Sequence, residues 1–177
     1  VLIQLGLEGR LYVDLGQDAE ALLGEENKGF SYLGHNLASE RWGIAFGAYA
    51  QAKAAVEFAK RYVQERTVFG KPVAHFQNTK FELAACQAEV DAAEAVADRA
   101  TEALDAGELT PAEAASAKLF CTEVAHRVID RCLQLHGGYG YMNEYPIARL
   151  YADNRVNRIY GGTSEVMKMI IAKNMGL

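Results

Sequence analysis

Proline is scarce in this chain: three residues in 177, at positions 72, 111 and 146. Nothing between them forces a helix to break. Cysteine is equally sparse, with Cys86, Cys121 and Cys132 odd in number and never in CxxC spacing. That pattern excludes a disulfide scaffold and reads as buried thiols in a reducing compartment. The four histidines are scattered, so no metal site is expected. Positive charge is in deficit, with 18 Lys and Arg against 23 Asp and Glu, a net charge of −5 and a pI near 5.4. No basic run offsets this, so no nucleic-acid partner is expected. No apolar run approaches the ~18 residues of a membrane span. The opening VLIQLGLEGRLYVDLG has neither a basic start nor a cleavage site, so it is not expected to be a signal peptide.

What the chain does have is apolar content, half of all residues, and long uninterrupted helical patterning. Its length suits one domain plus a remnant of another. Leu11-Tyr12-Val13 reads as a short strand, and Leu22 to Phe30 as a turn-rich connector. Ala, Glu, Lys and Arg then dominate a long helix from about Leu37 to Arg66. A glycine and a proline interrupt it in Thr67-Val68-Phe69-Gly70-Lys71-Pro72. A second helix spans about Phe76 to Ala106 and ends at Gly107, with alanines recurring at 84, 85, 88, 92 and 95. Thr110-Pro111-Ala112-Glu113 combines an N-cap threonine, a first-turn proline and a reciprocal glutamate. The helix it opens reaches about Leu135 and stops at His136-Gly137-Gly138. Shorter helices cover about Pro146–Asp153 and Ser164–Asn174. The fold class expected is all-α, an antiparallel four-helix bundle, because long helices with short connections favour that arrangement.

The breaks between helices carry the chemistry. Arg66-Thr67-Val68-Phe69-Gly70, Gln134-Leu135-His136-Gly137-Gly138-Tyr139-Gly140 and Tyr160-Gly161-Gly162-Thr163-Ser164-Glu165 each set glycine beside polar groups. Each glycine could be only a helix cap, and Arg66 only a solvated helix-end charge. Together, however, backbone N–H groups, a guanidinium fork and amide side chains suit a phosphate-bearing, partly aromatic cofactor.

The stretch QLHGGYGYMNEYPIARLYADNRVNRIYGGTSEVMKMIIAK resembles the C-terminal signature of flavin-dependent acyl-CoA dehydrogenases. RTVFGKPVAHFQ and LLGEENKGF match upstream family segments in the same order and spacing. The resemblance covers about residues 11 to 176. It implies that residues 31–177 form the C-terminal helical domain and that residues 1–30 are a remnant of the middle β-domain with a linker. The N-terminal helical domain and most of the β-domain would then be absent, so the chain alone is expected to bind FAD weakly or not at all, without turnover.

The resemblance further implies FAD, an acyl-CoA thioester substrate, and α,β-dehydrogenation to the trans-2-enoyl-CoA. By position, it assigns FAD contacts to Arg66, Thr67, Val68, Phe76 and Gln77, to Gln134, Leu135, His136, Gly137 and Gly138, and to Thr163, Ser164 and Glu165. Substrate contacts fall on Ala38, Ser39, Arg41, Gly161 and Gly162. Most of the family carries its catalytic glutamate where this chain has Gly161. The long-chain and isovaleryl branches, which also have glycine there, take the base from the preceding helix, at the position of Glu40. Read without the family, Glu40 is one more exposed helix-start glutamate.

One helix from Glu40 to Arg66 would separate its ends by ~39 Å at ~1.5 Å per residue. Those two residues therefore cannot serve one flavin, which implies a homodimer or the family's homotetramer. An electron-transfer flavoprotein is the implied electron acceptor. The implied location is the bacterial cytoplasm or, in a eukaryote, the mitochondrial matrix. An acyl-CoA oxidase or flavin monooxygenase on the same fold, and a non-catalytic helical assembly module, are the other readings.

Overall fold

The computed structural model describes residues 3–5, 11–13, 24–25 and 27–177. The chain divides into two compact units, Val1–Ala38 and Ser39–Leu177. In the first, strands β1 (Ile3–Leu5) and β2 (Leu11–Val13) pair antiparallel, with Ile3 opposite Val13. The strand expected at Leu11–Val13 is thus present. The rest of the expected remnant, residues 1–2, 6–10, 14–23 and 26, lies outside the described residues. The connector read over Leu22–Phe30 ends early, because helix α1 runs Gly29–Glu65 and starts eight residues before Leu37. Glycines at 29 and 34 lower helix propensity by about 1 kcal/mol each without blocking the helix as a proline would. The entry is shaped by Asn27 at φ 63° and by the Tyr32 hydroxyl, which accepts from the Glu25 N–H at 3.0 Å.

The second unit is the helical bundle. Along α1, Ala45, Ala48, Ala52, Ala55 and Ala59 are fully buried at spacings of three and four. Such a seam of small side chains lets helix axes approach closely. Helix α2 (Gln77–Asp105) lies antiparallel to α1: Trp42 Nε1 donates to Thr101 Oγ1 at 2.8 Å and Lys53 reaches Glu94 at 2.6 Å. Helix α3 (Pro111–His136) returns antiparallel to α2, with Cys121 Sγ on the Ala93 carbonyl and Arg131 bridging Glu82 and Glu89. Its capping box forms as the sequence spells it: Thr110 Oγ1 accepts from the Glu113 N–H, and Glu113 Oε2 accepts from the Thr110 N–H at 3.1 Å. Helices α4 (Pro146–Asn154) and α5 (Ser164–Asn174) pack on α3 and complete the bundle.

Between α1 and α2 the chain makes a hairpin rather than a plain interruption. Strands β3 (Thr67–Val68) and β4 (Lys71–Pro72) pair around Phe69 and Gly70, both at positive φ, 50° and 79°. Two-residue hairpin loops favour this geometry because its twist matches that of the strands. Strands of two residues are too short to show alternation in sequence. Cys86, Cys121 and Cys132 are buried free thiols. Among the described residues, no helix is long and apolar enough to cross a membrane, and no group of three or more His, Cys, Asp or Glu is placed to hold a metal ion.

Candidate functional site

Two hollows in the bundle gather nine of the residues singled out from sequence. The first lies beside α1 and is lined by Glu40, Gly43, Ile44, Tyr160 and Gly161. Glu40 is exposed there, close enough to Arg41 for the two charges to interact. Arg41 is buried, and its Nε donates to the Gly161 carbonyl at 3.1 Å. Gly161 and Gly162 have φ of 63° and 102°, a region that L side chains rarely occupy. A Cβ built at Gly161 would stand 2.5 Å from Ile44 Cδ1, so a side chain there would enter the hollow that holds Glu40.

The glycine turn is tied down on every side. Lys118 of α3 is 1% exposed, and its Nζ donates to the Gly162 carbonyl at 2.5 Å. Burial, helped by the charge of Arg41, pushes its ammonium down to about 8. The Tyr160 hydroxyl donates to Asn157 Oδ1 at 2.6 Å, and Asn157 in turn donates to Gln51 and Asn154. Thr163 caps α5 by accepting from the Val166 N–H. Ser164 is buried and donates to Glu123 Oε1 at 2.7 Å, an oxygen that also takes Arg158 Nε at 2.9 Å. Burial works to raise the Glu123 carboxyl, but these hydrogen bonds outweigh it and the carboxyl sits low. Glu165 is exposed in the first turn of α5, and its own N–H, followed by the Thr163 hydroxyl, holds its carboxyl low.

The second hollow lies at the far end of α1. It is lined by Arg66 and Val68, by Gln134, Leu135, His136, Gly137 and Gly138, and by Tyr62, Val73, Tyr139 and Met142. The Arg66 guanidinium sits 5.3 Å from the Tyr139 ring centre. Tyr62 stacks on His136 at 4.3 Å and donates its hydroxyl to the His136 carbonyl at 3.1 Å. Burial lowers the His136 imidazole, whose Nδ1 lies 2.8 Å from the Cys132 carbonyl. Side chains added at Gly137 or Gly138 would meet nothing within 4 Å, so this backbone is open to a ligand. A guanidinium fork, an amide, open backbone and aromatic walls fit the diphosphate and planar rings of a dinucleotide.

The structure therefore brings Glu40 together with Gly161, and Arg66 and Val68 together with Gln134–Gly138. It does not bring the two groups together, because 26 residues of helix and turn separate Glu40 from Arg66. Thr67, Phe76 and Gln77 do not line the second hollow: Thr67 pairs with Pro72, Phe76 lies under Lys71 Nζ at 4.3 Å, and Gln77 is exposed. Ser39 is exposed on α1, while Ala38 belongs to the first unit. Sequence reasoning missed Lys118, Ile44, Glu123 and Tyr62. Lys118 did leave a signal, since it falls on the stripe of Ala114, Cys121 and Ala125, where a lysine is out of place in a core.

Comparison with known proteins places this geometry. The family profile described as acyl-CoA dehydrogenase, C-terminal domain, matches residues 27–176. The mitochondrial long-chain specific acyl-CoA dehydrogenase of Rattus norvegicus is 43% identical over 93% of this chain and 38% of its own length. The crystal structure of an acyl-CoA dehydrogenase from Geobacillus kaustophilus superposes with a TM-score of 0.86 at 46% identity, over 90% of this chain and 42% of that one. An acyl-CoA dehydrogenase complexed with FAD from Bacillus anthracis gives 0.83 at 32% identity, over 88% of this chain and 30% of that one. The chain thus spans well under half the length of the relatives it matches. It belongs to the acyl-CoA dehydrogenase family, and matches the family's C-terminal helical domain.

Proposed function

We propose that the protein carrying this chain is an FAD-dependent acyl-CoA dehydrogenase that oxidises an acyl-CoA thioester to its trans-2-enoyl-CoA, with Glu40 as the base. The observation that carries this reading is the meeting of Glu40 and Gly161 at one hollow. Glycine at 161 leaves room where a side chain would otherwise enter, and Glu40 supplies the carboxylate from the facing helix. Its role is to take the α-proton of the thioester, a step in which a well-placed base contributes ~10²–10⁴-fold. Arg41 holds the Gly161 carbonyl and so fixes the wall opposite the base. Ser39 and Gly162 complete the substrate contacts, and Arg41 faces the CoA side.

Bound FAD supplies the acceptor for the substrate's β-hydride. Residues of two places in this chain hold it. Thr163, Ser164 and Glu165 at the start of α5 serve the flavin next to Glu40, while Arg66, Thr67, Val68, Phe76, Gln77 and Gln134–Gly138 serve the dinucleotide of a second copy. The span of α1, ~39 Å between Glu40 and Arg66 at ~1.5 Å per residue, supports this division. It makes the working unit at least a homodimer, with a homotetramer as the family form. Electrons then leave to an electron-transfer flavoprotein.

The test is anaerobic addition of acyl-CoA thioesters to the full-length flavin-loaded protein. A dehydrogenase bleaches the flavin absorbance and yields enoyl-CoA, and in air forms little peroxide. Stoichiometric peroxide in air would make it an oxidase. A full-length protein that carries no flavin would be a helical assembly module instead.

A further inference from the structure

Lys118 is a charged side chain in a place built for apolar ones. It is 1% exposed on a helix where Ala114, Ala115, Ala117 and Cys121 are buried too, and among the described residues its Nζ forms no ion pair and a single hydrogen bond, to the Gly162 carbonyl. Lysine is almost never fully buried without a charged partner, because its ammonium loses hydration that one neutral acceptor does not replace. A leucine or methionine would fill the same volume without that cost. Arg41 adds repulsion and holds the preceding carbonyl, that of Gly161.

The consequence lies in the peptide planes. No peptide bond here is cis, and in a trans peptide the C=O and N–H point in opposite directions. With the Gly162 carbonyl drawn onto Lys118, the Thr163 N–H points away from the interior. With the Gly161 carbonyl on Arg41, the Gly162 N–H does the same. Among the described residues neither N–H has an acceptor within the chain. Two successive left-handed glycines alone would sample many orientations. Two cations from different helices, α1 and α3, select one. The other anchors in this region act on the flanking residues Tyr160, Thr163 and Ser164 and leave the Gly162–Thr163 peptide itself to Lys118.

We infer that Lys118 is a positioning residue: its ammonium orients the Gly162–Thr163 peptide, so that the turn facing Glu40 presents its N–H groups outward to bound flavin and thioester. The inference rests on the proposed function for what the turn presents, and on the hydrogen bonds alone for how it is held.

The experiment compares Lys118→Met, which keeps the stem and removes the charge, with Lys118→Arg, which keeps a cation, in the full-length flavin-loaded protein. Displacement of a positioned group by about 1 Å costs up to about 100-fold in rate. Lys118→Met is therefore expected to lower kcat by about 10- to 100-fold, with KM for the acyl-CoA within about threefold. Amide hydrogen exchange over residues 160–166 should quicken at least about tenfold, while α3 over residues 120–135 stays as protected as in wild type. Lys118→Arg should recover most of both. Wild-type kcat and wild-type exchange in Lys118→Met would overturn the inference. Loss of protection throughout α3 would also overturn it, since Lys118 would then be a folding residue, as would an arginine variant no better than methionine with α3 intact. If wild-type protein turns over no acyl-CoA, the proposed function fails, and the exchange comparison still decides whether Lys118 holds the turn.

Discussion

At position 161 the backbone stands at φ 63°, and an added Cβ would press on Ile44 Cδ1 at 2.5 Å. Both facts bear on moving the base. A glutamate placed there points into the hollow of Glu40, but it takes on left-handed strain of about 1–2 kcal/mol and must displace the end of the Ile44 side chain. In a Glu40→Gln background, Gly161→Glu is therefore expected to restore part of the lost turnover while lowering Tm relative to its parent. Turnover assays and thermal denaturation on the same preparations check this. No recovery at all would mean that a carboxylate from position 161 does not reach the α-carbon. The sequence made Gly161 conspicuous, as a glycine where the family has an acid, but not its cramped surroundings. Those depend on Ile44, which lies 117 positions away in the chain. Lys118 was legible only as an anomaly, because nothing in the spacing shows which carbonyl it meets.

The elements were read well wherever local chemistry settles them. The α3 start follows from Thr110, Pro111 and Glu113 alone, since a capping box is a contact within four residues. The start of α1 was misplaced because Gly29 and Gly34 weaken a helix without stopping it. The β3–β4 hairpin was missed for its brevity, and it carries a bulky residue in the left-handed region. Phe69 has φ 50°, unusual for a bulky residue, and its ring is 95% exposed. Asparagine tolerates this conformation far better. Phe69→Asn should thus stabilise the isolated chain against urea by about 1 kcal/mol. In the assembled protein the same change should shift sedimentation toward smaller species, because the exposed hairpin tip suits contact with a second copy. Unchanged sedimentation would remove the hairpin from the interface.

At the scale of the whole molecule, the buried and exposed faces of α2 separate cleanly. Cys86, Val90, Ala93, Ala97 and Ala100 face the core, while Ala84, Ala85, Ala88, Ala92 and Ala95 are exposed with Phe81 beside them. An outward alanine stripe next to an exposed phenylalanine fits close approach by another subunit's helix, as the proposed sharing of each flavin between two copies requires. The bundle was legible from alanine-rich helices with no proline beyond their first position and from their capped ends. The site was legible only in halves, because each hollow joins segments distant in sequence. The central claim is that Glu40 is the base. Glu40→Gln keeps size and hydrogen bonding but cannot take a proton, so the direct measurement is kcat of that variant in the full-length flavin-loaded protein. The account predicts a fall of at least about 100-fold with flavin and acyl-CoA still bound. Wild-type turnover would contradict it, leaving Glu40 a surface residue on α1.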